Sequence, residues 1–285
     1  MGADANRPRV VLEGIGFPEA LRWHDGQLWL CDMSARTVVR ATVDGRVVGT
    51  TQLEDEPSGL GFLPDGTPLV AQMWSQRIVE LSSGRPRTYV DLAHAPGERV
   101  NDLVVDGKGG VYVGLISSRN ATIAGGDDHV AFVGVDRNFE VVANGLATTN
   151  GLVVTPDEGE LIVAETAIGR LTSFVIERDG ALGARTTFAE VASAAPDGIC
   201  LDAAGSVWIG SIFDGHFLRV DRGGAISGRI AVHPAWAVAP MLGGSERTTL
   251  FLGTVATTLE TMRTPGGARG AILALEVDVP GAGWP

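Results

Sequence analysis

Five stretches of the chain carry one signature: FPEALRWHDGQLWLCDM at 17–33, EPSGLGFLPDGTPLVAQM at 56–73, RVNDLVVDGKGGVYVGL at 99–115, TTNGLVVTPDEGELIVAET at 148–166 and APDGICLDAAGSVWIGSI at 195–212. Each reads as a turn-like head, an apolar run, a Gly or Asp turn and a second apolar run, which is the pattern of a β-hairpin. The heads fall at Glu19, Ser58, Asn101, Asn150 and Asp197, so the repeats are spaced by 39, 43, 49 and 47 residues. A period of about 40 to 50 residues carrying four strands is that of a propeller blade. A sixth copy, PAWAVAPMLGGSERTTLFLGTV at 234–255, keeps both apolar runs and the Gly-rich turn but loses the head. Strand-like segments such as TVVRATVD, RIVELSSG, HVAFVGVD and RLTSFVIERDG fill the spaces between hairpins. Residues 1–285 are therefore expected to form a single all-β domain, a six-bladed β-propeller. A closed ring leaves no unpaired edge, so RVVLEG at 9–14 is expected to complete the last blade beside GAILALEVD at 270–278. The competing arrangement, two β-sandwiches, makes the even register of the heads a coincidence.

Composition agrees with this reading and excludes others. The 39 glycines and 14 prolines suit many tight turns better than long helices, and 45 % hydrophobic with 20 % charged residues is a core-forming balance. With 22 basic against 34 acidic residues the net charge is -12, the wrong sign for neutralising phosphates, so nucleic acid is not expected as a partner. No apolar run approaches the roughly 18 to 20 residues of a membrane span, and the start MGADANRPRVV lacks the apolar core of a secretory signal. A cytoplasmic protein without membrane partners, monomeric or a small homo-oligomer, is expected. Cys31 and Cys200 each sit in an apolar run without CxxC spacing and read as reduced core thiols.

In a propeller the inner strand of every blade lines the central channel, so the five heads converge at one end of it. Glu19, Asn101, Asn150 and Asp197, with Asp102 and Arg99 beside the third head, give an oxygen-rich cluster that is net negative. Carboxylates at close quarters repel, and a bound cation relieves them. Oxygen ligands favour Ca²⁺ or Mg²⁺, with Mn²⁺ next and Zn²⁺ or Fe²⁺ as remaining options. Taken singly, Ser, Asn and Asp before Gly are ordinary turn formers. Glu19, in Pro-Glu-Ala, gains nothing from turn chemistry, and the shared register of all the heads favours one divalent cation.

These motifs, FPEALRW followed by HDGQLWLCDM, then RVNDLVVDGKGGVYVG, TTNGLVVTPDEGELIVAET with GRLTSFVIERDGALG, and APDGICLDAAGSVWIGSI, resemble the gluconolactonase, regucalcin or SMP-30 family over nearly the whole chain. The resemblance implies a six-bladed propeller with one divalent cation in its channel and hydrolysis of sugar or other lactones. It implies metal ligands at Glu19, Asn150 and Asp197, positions that the register also selects. The family's Arg-x-Asn-Asp motif falls on Arg99, Asn101 and Asp102, so Arg99 and Asn101 are expected to hold the lactone, and Asp197 to act also as base or water orienter. ISSRNATIAGGDDHVAF after the third hairpin has no glutamate where sugar lactonases often place an acidic substrate contact, and reads as a mobile lid. Trp236 in the sixth head either lines the pocket mouth or packs between blades. Both departures extend the substrate class to more apolar lactones or esters.

A cation polarising the lactone carbonyl and lowering the pKa of water needs no covalent nucleophile. No GxSxG element exists, and His24, His94, His129, His216 and His233 miss the heads, which argues against a Ser-His-Asp enzyme. His24 is expected exposed in its turn, with His129 and His216 as candidates for the mouth. The EDE run at 54–56 is read as a solvated turn and GGDD at 125–128 as a flexible loop. Two readings compete: a non-catalytic propeller that uses its cation structurally and binds a protein partner, and a metal-dependent phosphotriesterase or other hydrolase on the same fold. A strictosidine-synthase-like reaction would need no three-ligand metal set and ranks lowest.

Overall fold

A computed structural model describes residues 7–82, 85–117 and 126–283. Within them, 24 strands form six four-stranded antiparallel sheets. The inner strands of blades 1 to 6 are Pro18–His24, Pro57–Phe62, Arg99–Val105, Thr149–Val154, Pro196–Leu201 and Trp236–Gly243. Each packs on the inner strand before and after it, and the sixth returns to the first, so the sheets close into a ring. This is the expected six-bladed propeller.

The reason lies in the gradient of apolar residues across each blade. Inner strands such as Pro57–Phe62 and Trp236–Gly243 are buried at every position, whereas the outermost strands Val47–Gln52 and Ile226–Ala231 have no fully buried residue. A strand buried on both faces needs a continuous apolar run, and an outer strand does not. The cores lie between blades. Leu69, Val100, Leu103 and Val113 pack blade 2 on blade 3, and Ile162, Leu171, Ile199 and Val207 pack blade 4 on blade 5.

The ring is closed by Arg9–Ile15, which pairs antiparallel with Arg269–Glu276 at the outer edge of blade 6, with Val10 opposite Leu273 and Leu12 opposite Ile272. The expected terminal strand is therefore found, one residue longer than RVVLEG. Cys31 and Cys200 are free and buried. No helix among the described residues is long and apolar enough to cross a membrane.

Candidate functional site

All six inner strands break register at their heads: between Glu19 and Arg22, Pro57 and Gly59, Val100 and Leu103, Thr149 and Leu152, Pro196 and Ile199, and Ala237 and Ala239. A β-bulge bends a strand and re-aims a side chain without ending the ladder. The heads, read from sequence as turn elements, are therefore strand residues turned by bulges. Glycines beside them serve close approach. A Cβ on Gly151 would lie 2.6 Å from Asp197 O, and one on Gly59 would lie 2.7 Å from the Leu103 backbone nitrogen.

The bulges bring Glu19, Asn150 and Asp197 together from blades 1, 4 and 5. Asp197 is 2 % exposed, and its Oδ2 meets no hydrogen-bond donor. Burial, with the charge of Asp102 adding to it, pushes the Asp197 carboxyl up to about 8 against a hydrogen bond from Asn150. Burial raises Glu19 well above the carboxylate range, and Asp197 and Asp102 raise it further, while the Ala20 N–H and Arg22 pull it down. Asn150 Nδ2 donates to Thr166 Oγ1 at 3.2 Å, and that hydroxyl donates to Pro196 O at 2.7 Å. Thr166 thereby ties the amide to the backbone next to Asp197.

The remaining heads have other duties. Ser58 Oγ donates to Asn101 O at 3.1 Å and is a strut between blades. Asn101 Nδ2 donates to Thr149 O at 2.9 Å. Asp102 receives Arg22 Nη2 at 3.0 and 3.3 Å, and both residues are 5 % exposed. Arg22 also donates to Leu21 O and Leu103 O, each at 2.9 Å. This buried pair places a cation under the carboxylates. Its sequence signal is the arginine inside the apolar run EALRW.

Among the described residues no three His, Cys, Asp or Glu side chains converge as a cation site would require. The cluster of two carboxylates and one amide nevertheless fits a hard cation. The unsatisfied Asp197 oxygen and the mutual repulsion of the two acids are both relieved by positive charge between them.

Several sequence expectations need correction or placement. His24 is not a free turn residue: its ring stacks on Phe62 with centroids 3.8 Å apart. Asp55 accepts the Trp74 and Ser75 N–H groups at 2.9 and 2.7 Å, and Glu56 accepts the Trp74 indole N–H at 2.9 Å, so EDE braces a neighbouring loop. Trp236 is buried and meets Phe213 edge-on at 5.2 Å. His129 and His216 lie in third strands, Asp128–Val133 and His216–Val220. The lid expected after the third hairpin falls largely on 118–125, outside the described residues. Arg99 lies at the start of its inner strand with its guanidinium 5.5 Å from the Trp74 ring centre. Trp74, Glu56 and Arg263 at this mouth were not singled out from sequence as site residues: Trp74 and Arg263 sit in connections outside the repeated hairpins, and Glu56 was read as part of the solvated EDE turn.

Residues 17–256 match the family described as the SMP-30/Gluconolactonase/LRE-like region. The chain is 26 % identical over 232 residues to pentonolactonase XacC of Haloferax volcanii, covering 79 % of this chain and 77 % of that one. It is 24 % identical over 263 residues to the 6-deoxy-6-sulfogluconolactonase of Pseudomonas putida, covering 90 % and 89 %. The fold matches that of the calcium-binding protein regucalcin from Agrobacterium tumefaciens with a TM-score of 0.79 at 20 % identity, covering 97 % of this chain and 95 % of the other.

Proposed function

Because the chain belongs to the SMP-30/gluconolactonase/LRE-like family, we propose that it is a hydrolase that opens lactone rings with a divalent cation, Ca²⁺ foremost, held by Glu19, Asn150 and Asp197. The observation that carries this reading is the buried Asp197 oxygen without a donor, near the partly buried Glu19 carboxylate of another blade. Lactonases among the relatives support the reaction class. The cation would supply Lewis-acid polarisation of the carbonyl and a more acidic water.

The protein's own groups account for the rest. Asp197 takes the proton of the attacking water, and positive charge bound beside it would keep its buried carboxylate ionised for that role. Asn150 keeps that carboxylate oriented through its hydrogen bond. Asn101 has one amide hydrogen committed to Thr149 O, which leaves its second N–H to donate to a lactone oxygen and its Oδ1 to accept from a substrate hydroxyl. Arg99, at the mouth, donates to substrate oxygens. The hydrolysed acid leaves past the same mouth. A cytoplasmic setting belongs to this reading and is supported by two buried cysteines held as thiols.

The test is ring opening of a lactone panel followed by pH indicator, after chelation and re-addition of Ca²⁺, Mg²⁺, Mn²⁺, Zn²⁺ or Fe²⁺. Turnover should vanish on chelation and return with the preferred metal. A rate unchanged by thorough chelation would refute the metal assignment, and no turnover on any lactone would refute the reaction.

A further inference from the structure

At the channel mouth one aromatic ring carries two guanidinium groups. Trp74, in the loop after the second strand of blade 2, is 45 % exposed. Arg99 lies 5.5 Å and Arg263 5.0 Å from its ring centre. The indole N–H donates to Glu56 Oε2 at 2.9 Å, and Arg263 Nη1 donates to the same oxygen at 3.0 Å. Ring and guanidinium are thus fixed relative to each other by one carboxylate.

Arg263 comes from the opposite side of the closure. Its loop leaves blade 6 after Ala256, arches over blade 1 and reaches blade 2, covering a groove of about 470 Å³ lined by Phe17, Met33, Ser34 and Met262. The loop is braced from within: the Thr261 and Met262 N–H groups donate to Thr258 O at 3.1 and 2.9 Å, and Thr257 Oγ1 donates to Gly267 O at 2.8 Å. Gly267 is required there, because a Cβ would lie 2.0 Å from Thr261 O. Arg263 is therefore presented on a set backbone.

Arg99 is half-buried, and among the described residues no acceptor meets its guanidinium. Partial burial disfavours the charge of the guanidinium, and a second cation on the same ring adds repulsion. Both effects lower the affinity of Arg99 for its proton. Glu56 pairs with Arg263, and Glu98 and Asp128 attract Arg99 from beyond hydrogen-bond distance. The donors of Arg99 are therefore left for a ligand, and an anionic one gains most from them, because the net charge of -12 and two carboxylates deeper in the channel repel it elsewhere. Arg99 and Asn101 lie two residues apart on one strand with buried Val100 between them, a separation of about 7 Å. The mouth cations are thus set one sugar ring away from the group that holds the lactone.

We propose that Arg99 and Arg263, seated on Trp74, form a subsite for an anionic substituent at the far end of the lactone, so that the substrates are lactones bearing a phosphate, sulfonate or second carboxylate. The subsite rests on the lactone-opening reading above and names its substrate class. Arg263 is its specificity-determining residue. Planar guanidiniums bind such oxyanions with paired, charge-assisted hydrogen bonds.

The experiment compares matched lactones: glucono-δ-lactone against its 6-phosphate and its 6-deoxy-6-sulfonate, and gulono-1,4-lactone against glucaro-1,4-lactone. At least one charged member should exceed its neutral partner about 10-fold in kcat/KM at low salt, with the advantage shrinking as salt screens it. In Arg263→Gln that ratio should fall about 10-fold, to near one, through the loss of charge-assisted bonds, and Arg263→Lys should restore part of it. A ratio near one in the wild type, or one unchanged in Arg263→Gln, overturns the subsite while leaving lactone opening intact. Calorimetric binding of gluconate, 6-phosphogluconate and glucarate gives a readout without turnover. If no lactone is opened, tighter binding of a doubly charged acid than of gluconate, lost in Arg263→Gln, still upholds the subsite, and equal binding overturns it.

Discussion

Asp197 has a buried oxygen that nothing in the protein satisfies, in a carboxyl that the Asn150 amide also meets. Replacing it by Asn keeps the volume and removes the charge. Activity should then drop by about 10²- to 10⁴-fold, the range of a lost general base, while the melting temperature holds or rises because one buried acid has gone. Unfolding of Asp197→Asn would instead make the carboxylate structural. His24 gives a pH prediction at the same scale. Burial against Phe62 lowers its pKa below the usual 6.5. A base whose folded pKa is lowered contributes stability that is present above the unfolded value and lost as pH falls through the folded one. The term is small for so exposed a ring, and its signature is an imidazole titration midpoint below 6.5 by NMR, assigned by loss of the resonance in His24→Gln. Glu19 was readable in the sequence because nothing in turn chemistry asks for it. His24 was not, since the WHDG turn says nothing about the Phe62 ring contributed by the next blade.

At the scale of one strand, the bulge is the functional element. Asn150-Gly151 and Asp197-Gly198 have the composition of turns, and only tertiary packing makes them strands: the missing Cβ lets adjacent inner strands approach, and the extra residue turns the head toward the axis. A composition that reads locally as a turn therefore marks where the bulges fall. Gly151→Ala tests the close approach. Its new methyl would meet the backbone of Asp197, Gly198 and Ile199 at 2.6 to 3.1 Å, where no flexible side chain can yield. Such overpacking costs about 1–3 kcal/mol. A fall in melting temperature of several degrees should accompany reduced activity, because the displaced backbone carries Asp197. Gly159→Ala meets only the Asp157 side chain, at 3.3 Å, and should change neither. Equal effects of the two substitutions would remove the close-packing account of the heads.

At the scale of the whole molecule, the repeat spacing revealed the ring because each blade must supply the same hub position, which keeps the inner hairpins in register. The mouth has no such constraint. Its loops differ in length from blade to blade, and the contact between Arg263 and Glu56 spans 207 residues, so no local pattern announces it. Closure links these two levels. Glu19 belongs to blade 1, whose inner strand packs on that of blade 6, and blade 6 is completed by Arg9–Ile15. Removing residues 1–15 exposes the edge of Arg269–Glu276 and uncovers Ile272 and Leu273, an edge that invites pairing between molecules. The truncated protein should aggregate in proportion to its concentration, and the part that stays monomeric should lose activity and metal-induced thermal stabilisation together, since blade 1 drifts from blades 4 and 5. A peptide of residues 7–15 added in trans should restore both. Asp197→Asn, by contrast, should lose both in a ring that stays closed and monomeric, because it removes a metal ligand and leaves the edge covered. If the truncated monomer keeps full activity, the geometry of the site does not depend on closure, and the inner strands alone hold Glu19 opposite Asp197.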